Sequence, residues 1–149
     1  MCDVYKSSDV AELLAGKHVA VLGGSVMRGL YKDLVWLLND DSFIPAEVLG
    51  DKSEDAFPRF DGKRWEKSGR KASKRVVAKF SNGNTDTLLH TTGLHAGRTY
   101  VEPRRYVRGG LTINYIFTSK VWHDELDVWL RSYARENSGR HLDLVILNR

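Results

Sequence analysis

Ser25 is the residue best placed by its neighbours to do chemistry. It lies in the run His18-Val-Ala-Val-Leu-Gly-Gly-Ser25-Val-Met-Arg28-Gly-Leu-Tyr-Lys-Asp33-Leu-Val-Trp-Leu-Leu38. That run describes a buried strand, a two-glycine turn and an amphipathic helix. A serine at such an elbow stands at the carboxyl edge of a strand, beside the free N–H groups of a helix start. The arrangement suits acyl transfer, because those N–H groups can stabilise an oxyanion. The same residue has a plainer use as the cap of the helix, and the residues alone leave both open. A third use, as a phosphate cradle, fits less well. Gly23-Gly-Ser-Val-Met-Arg-Gly29 matches neither G-x-G-x-x-G nor the G-K-[ST] of a P-loop, although helix starts attract anions generically.

A nucleophilic serine needs a base. The five histidines are scattered, without zinc-ligand spacing, so no metal is expected, and nothing points to another cofactor. His18 and His141 begin their strands, which puts them at the edge opposite Ser25, roughly 15–20 Å away at about 3.3 Å per residue. His123 opens a helix after a strand, with Asp124 beside it. It is the local histidine that could act as base, against a plainer role as an exposed helix-start residue. His90 and His95 lie in a loop with no assignable position. The chain reaches Arg149 without a convincing Asp/His partner for Ser25.

The elements that must position Ser25 alternate. Ser8 or Asp9 can cap a short helix over Val10–Leu14, ended by Gly16. Val19–Leu22 is a continuous apolar run, as in a strand covered on both faces. Met27, Leu30, Leu34, Leu37 and Leu38 then repeat at helical spacing, which puts Arg28, Lys32 and Asp33 on the outer side. The middle, from Phe43 to about Gly97, is poorly patterned. It holds one candidate strand, Arg75–Phe80, followed by the turn signal Ser81-Asn-Gly-Asn84. Thr99–Val107 can be extended, confined by Pro103 to an edge or bulge. Leu111–Phe117 alternates as a strand. Trp122, Leu126, Trp129, Leu130 and Tyr133 form a helical stripe, with acids early and arginines late. Leu142–Leu147 reads as a final buried strand. This order predicts an α/β sandwich with a mainly parallel sheet, whose strands at 19–22, 112–118 and 142–147 lie side by side. Ligands of such sheets bind outside the carboxyl strand ends, where Ser25 and Asn148 both fall.

Composition bounds the rest. The 149 residues suit one domain; 42% hydrophobic and 28% charged residues are ordinary for a globular protein. The apolar runs are too short to span a membrane, and the N-terminus has no signal-peptide pattern. Cys2 cannot pair within the chain, so an intracellular, reducing, cytoplasmic setting is expected. The net charge is +4 and the isoelectric point about 9.2. Much of the excess sits in a loop at about 59–79, including Lys63, Arg64, Arg70, Lys71, Lys74 and Arg75. Its plain use is a solvated loop; its alternative use is a surface for polyanions or a protein partner. Trp65 alone gives little stacking surface, so nucleic acid is not expected.

Several blocks resemble one family. They are Ser8-Asp-Val-Ala-Glu-Leu-Leu14, Val19 through Val35, Gly93-Leu-His-Ala-Gly-Arg-Thr-Tyr-Val-Glu102 with Arg105-Tyr106, Asn114–Val121 and Asp143–Asn148. Together they look like the PC-esterase domain-containing proteins of the GDSL/SGNH acyl-esterase superfamily. The resemblance covers most of the chain except the basic segment, and the block Tyr31-Lys-Asp-Leu-Val35 is its most specific part. It implies a three-layer α/β/α sandwich, present over residues 1–149 as an incomplete SGNH-like domain. It also implies a small acyl-ester substrate, Ser25 as nucleophile and Asn148 as an oxyanion-hole asparagine, with Gly93 or Gly97 as the oxyanion-hole glycine. Two departures stand out. The family's Gly-Asp-Ser is Gly23-Gly24-Ser25 here. The family's Asp-x-x-His, which supplies the base, lies beyond the last matching block. The expectation is therefore an impaired or inactive acyl-esterase-like domain, with a non-catalytic binding module as the alternative. A missing neighbour at the 142–147 strand would leave a sheet edge open to self-association.

Overall fold

A computed structural model describes residues 6–44, 74–79, 83–89, 103–118, 124–136 and 140–148. The chain forms helix α1 (Ser7–Leu13), strand β1 (His18–Gly23), helix α2 (Ser25–Asp40), strands β2 (Lys74–Lys79), β3 (Thr85–Leu89), β4 (Arg104–Arg108) and β5 (Leu111–Phe117), helix α3 (Asp124–Glu136) and strand β6 (Leu144–Leu147). The strands make one sheet in the order β2-β3-β4-β5-β1-β6.

The half of the sheet that carries Ser25 is parallel. β1 lies between β5 and β6, with His18 opposite Thr112 and Gly23 opposite Phe117 on one side, and Val19 opposite Leu144 on the other. These are the three strands that the apolar runs predict as neighbours. The sheet as a whole is mixed rather than mainly parallel. β2, β3, β4 and β5 pair in sequence as an antiparallel meander. Its turns explain this: Gly109 adopts φ 54°, which lets the chain reverse between β4 and β5 within two residues.

β1 is buried along its whole length because both of its faces are covered. Val19 and Val21 pack with Met27, Tyr31, Val35 and Leu38 of α2 and with Ile113 and Tyr115 of β5. Ala20 and Leu22 turn to the other face and pack with Ile116 and with Leu126, Trp129 and Leu130 of α3. The result is helix, sheet, helix: the expected α/β layering.

The buried face of α2 differs from the expected one. Leu30 is 40% exposed, whereas Arg28 and Lys32, placed outside by the leucine spacing, are 8% and 1% exposed. Tyr31, Val35 and Trp36 set the face, being larger or stiffer than the leucines, and Arg28 and Lys32 are buried with it. The short first helix begins three residues earlier than expected. Asp9 accepts the Lys6 N–H at 3.0 Å from within the helix rather than capping it.

At the outer edge of the parallel half, β6 is largely exposed, including Leu144, Val145 and Leu147, and is not the buried strand its apolar residues predict, because it is the last strand of the sheet. No helix among the described residues is long and apolar enough to cross a membrane.

Candidate functional site

The site starts from the way β1 ends. Gly23 closes the strand at φ 151°, and a methyl group there would meet the Asn148 carbonyl oxygen at 2.6 Å and Met27 Cγ at 2.5 Å. Only glycine fits this approach without displacing the end of β6. The neighbouring strand ends are held level with it. The Thr118 N–H donates to the Gly23 carbonyl at 3.1 Å, and the Asn148 N–H donates to the Leu22 carbonyl at 3.2 Å. Ser25, Thr118 and Asn148 therefore share one carboxyl edge of the sheet.

Ser25 is not the cap of α2. Gly24 takes the cap position, and Ser25 is the first helical residue. The Ser25 side chain is exposed and makes no hydrogen bond among the described residues. Gly24 offers no side chain to the first-turn N–H groups, and no acid lies in that turn to offset the positive end of the helix dipole. A free hydroxyl thus stands beside unused donors.

Tyr115 braces the elbow from below. Its hydroxyl donates towards the Gly23 and Gly24 carbonyls at 3.4 and 3.3 Å. Burial holds that hydroxyl well above the usual tyrosine range, and the charges of Arg28 and Arg104 pull it part of the way back. The phenol is a neutral donor at any physiological pH. Behind it Tyr31 lies against Tyr115 with ring centroids 5.7 Å apart. The Tyr31 hydroxyl donates to Asp86 Oδ1 at 2.6 Å, and Arg104 closes a buried ion pair with the other Asp86 oxygen. Burial, reinforced by the Asp86 charge, also raises Tyr31. The guanidinium of Arg104 sits 5.7 Å over the Tyr31 ring. A chain of polar and ring contacts thus runs from the antiparallel meander to the base of the elbow, which restricts where Ser25 can sit.

The histidines of the described residues lie elsewhere. His18 is buried at the start of β1, with Nδ1 2.7 Å from the Tyr133 hydroxyl and Nε2 3.3 Å from Arg140. His141 is exposed ahead of β6. Both are at the opposite edge, as strand length predicts. His90, His95 and His123, the glycines Gly93 and Gly97, and Lys63, Arg64, Arg70 and Lys71 fall outside the described residues. Lys74 and Arg75 lie in β2. No group of three or more His, Cys, Asp or Glu side chains among the described residues could hold a metal ion.

Three residues at the site escape the sequence pattern. Thr118 and Tyr115 lie on β5, whose alternation marks a strand but not its register against β1. Arg28 has the polar character of a surface residue and no local signal of burial.

Comparison with known proteins bears on the same edge. The chain is 30% identical over 146 residues to the human PC-esterase domain-containing protein 1A, covering 97% of this chain. It is 31% identical over 143 residues to the mouse PC-esterase domain-containing protein 1B. The chain is a sequence relative of the PC-esterase domain-containing proteins. It spans 26–28% of the length of these relatives. No family model matches the chain, and no solved structure matches it.

Proposed function

We propose that the elbow is the nucleophile half of an acyl-ester site. Ser25 Oγ attacks the ester carbonyl carbon, the alcohol leaves, and the acyl group passes to water or to another hydroxyl. The negative charge that develops on the carbonyl oxygen is met by first-turn N–H groups of α2 and by the Asn148 side chain. The observation that carries this reading is the state of Ser25: an exposed hydroxyl, not used as a helix cap, at the carboxyl edge of a parallel strand. The relatives' name, PC-esterase domain-containing protein, agrees with an ester as substrate.

Among the described residues no histidine stands at this edge, and an unassisted serine is a weak nucleophile. General-base help is worth roughly 10²–10⁴-fold. The 149-residue chain alone is therefore expected to turn over acetyl esters slowly, in the manner of an impaired esterase. A reducing, intracellular setting suits its single cysteine, Cys2.

The test separates binding of the reactive group from turnover. A fluorophosphonate probe should label Ser25, detected by peptide mass spectrometry, with labelling absent in Ser25→Ala. Turnover of an acetyl ester should be low in the wild type and unchanged in His123→Ala. Labelling that misses Ser25 would reject it as nucleophile. Strong turnover lost in both Ser25→Ala and His123→Ala would identify His123 as the base and reject the impaired reading.

A further inference from the structure

Tyr115 is fully buried in β5, opposite Val21 of β1 and Arg104 of β4, with its ring against Tyr31. From this fixed place its hydroxyl reaches two successive carbonyls, those of Gly23 and Gly24, at 3.4 and 3.3 Å. One proton is shared between two acceptors, a three-centre bond whose limbs are each longer than an ordinary O–H···O bond. Neither carbonyl depends on it. The Gly23 carbonyl also accepts the Thr118 N–H at 3.1 Å, and the Gly24 carbonyl accepts the Arg28 N–H at 3.0 Å. The contact is not needed to satisfy the backbone.

What it fixes is direction. The Gly23 carbonyl and the Gly24 N–H belong to one planar trans peptide, and the Gly24 carbonyl and the Ser25 N–H belong to the next. In each, the N–H points opposite the carbonyl. Two glycines in succession leave those planes unusually free to rotate. Nothing lies within 4 Å of the place a Gly24 side chain would fill, so packing on that side does not restrain them. The Tyr115 hydroxyl holds both planes at once.

We infer that Tyr115 is a positioning residue: by holding the Gly23 and Gly24 carbonyls it fixes the Gly24–Ser25 peptide, and with it the place from which the Ser25 hydroxyl reacts. That Ser25 reacts at all rests on the acyl-site reading above. The orientation of the two peptides does not rest on it and is measured separately.

Tyr115→Phe removes only the shared proton donor. Tyr31→Phe is the control: it keeps the ring beside Tyr115, but the hydroxyl it deletes donates to Asp86 at 2.6 Å rather than to the elbow. The rate at which a fluorophosphonate labels Ser25 is measured for the wild type and both variants well below their melting temperatures. Amide NMR shifts and hydrogen exchange at Gly24 and Ser25 are recorded alongside. Tyr115→Phe should label about three- to fivefold more slowly, the worth of one modest hydrogen bond. Its Gly24 and Ser25 amides should shift and exchange faster, while it melts close to the wild type because no carbonyl is orphaned. Tyr31→Phe should melt lower, since a buried carboxylate loses its donor, yet label at the wild-type rate with those two amides unmoved. Labelling that follows melting temperature across the three chains would overturn the inference, because Tyr115 would then be only structural. Labelling of Tyr115→Phe at the wild-type rate would overturn it too, as would unmoved Gly24 and Ser25 amides in that variant. A wild-type chain not labelled at Ser25 rejects the nucleophile reading instead, and the two amides then decide the hold of Tyr115 by themselves.

Discussion

Replacing Gly23 by alanine tests whether the strand end is as crowded as the elbow requires. The added methyl would meet two neighbours. Met27 Cγ at 2.5 Å belongs to a flexible side chain that can swing aside, but the Asn148 carbonyl at 2.6 Å is backbone. Moving it displaces the end of β6 and its hydrogen bond to Leu22. A non-glycine residue forced into such a backbone region costs about 1–3 kcal/mol, and overpacking a tight site adds about 1–3 kcal/mol. For a domain of this size each kcal/mol moves the melting temperature by about 2–4 °C. The expected loss is therefore about 5–15 °C, followed by far-ultraviolet circular dichroism, with faster hydrogen exchange at the Asn148 amide. Gly24→Ala is the matched control. Nothing lies within 4 Å of its added methyl, so only the glycine's preference as cap is lost, about 1 kcal/mol or less. A Gly23→Ala chain melting within about 2 °C of the wild type, or a Gly24→Ala chain that proves the less stable of the two, would refute the packing described at the elbow.

Asp86→Asn should cost about 3–5 kcal/mol in urea unfolding, because it leaves the buried Arg104 without its carboxylate, whereas an Asp86→Leu/Arg104→Leu pair should recover part of the loss. The carboxylate of Asp143 is held below its ordinary range, first by the His18 N–H at 2.7 Å and then by Lys17. A depressed carboxylate supports the fold above its unfolded value and loses that support as pH falls through the folded one. The melting temperature should therefore drop below about pH 4, and Asp143→Asn should flatten that acid limb. The exposed β6 strand should draw two copies together, and Val145→Lys should shift sedimentation towards monomer; a wild-type chain that stays monomeric at high concentration would count against an open edge.

The parallel core was legible because its residues advertise it. Val19–Leu22 is an unbroken apolar run, and such a run belongs to a strand covered on both sides, whereas Leu142–Leu147, apolar but for Asp143, forms the exposed edge strand beside it. Gly23-Gly24-Ser25 marks the elbow through the turn that only small residues make. The antiparallel meander was largely hidden. β3 reads Thr-Asp-Thr-Leu-Leu, and one of its buried positions is an aspartate whose partner, Arg104, lies on the next strand. A hydrophobicity pattern cannot register a core position filled by an ion pair. Arg28 and Lys32 were misplaced for a related reason. Leucine spacing defined a stripe, but Tyr31, Val35 and Trp36 turned the helix so that basic residues adjoin the core. The spacing of Ser25 from Asn148 along the chain carried no information about their proximity; only the register of β1 against β6 brings them together.

That register has a consequence for how the molecule is made. β1 emerges early, yet it does not pair with β2, the next strand in sequence. One partner is β5, and the other is β6, across a separation of 125 residues between His18 and Asp143. During synthesis the first strand and its two-glycine turn must wait, apolar and uncovered, while the meander that follows can close on itself by local hairpins. Pairing over such distances is slow compared with hairpin closure, and a waiting apolar strand is open to wrong partners. The Ser25 elbow is therefore among the last features to acquire its shape. Chaperone demand and misfolding on the ribosome should depend more on the interval between residues 23 and 144 than on the strength of the finished core.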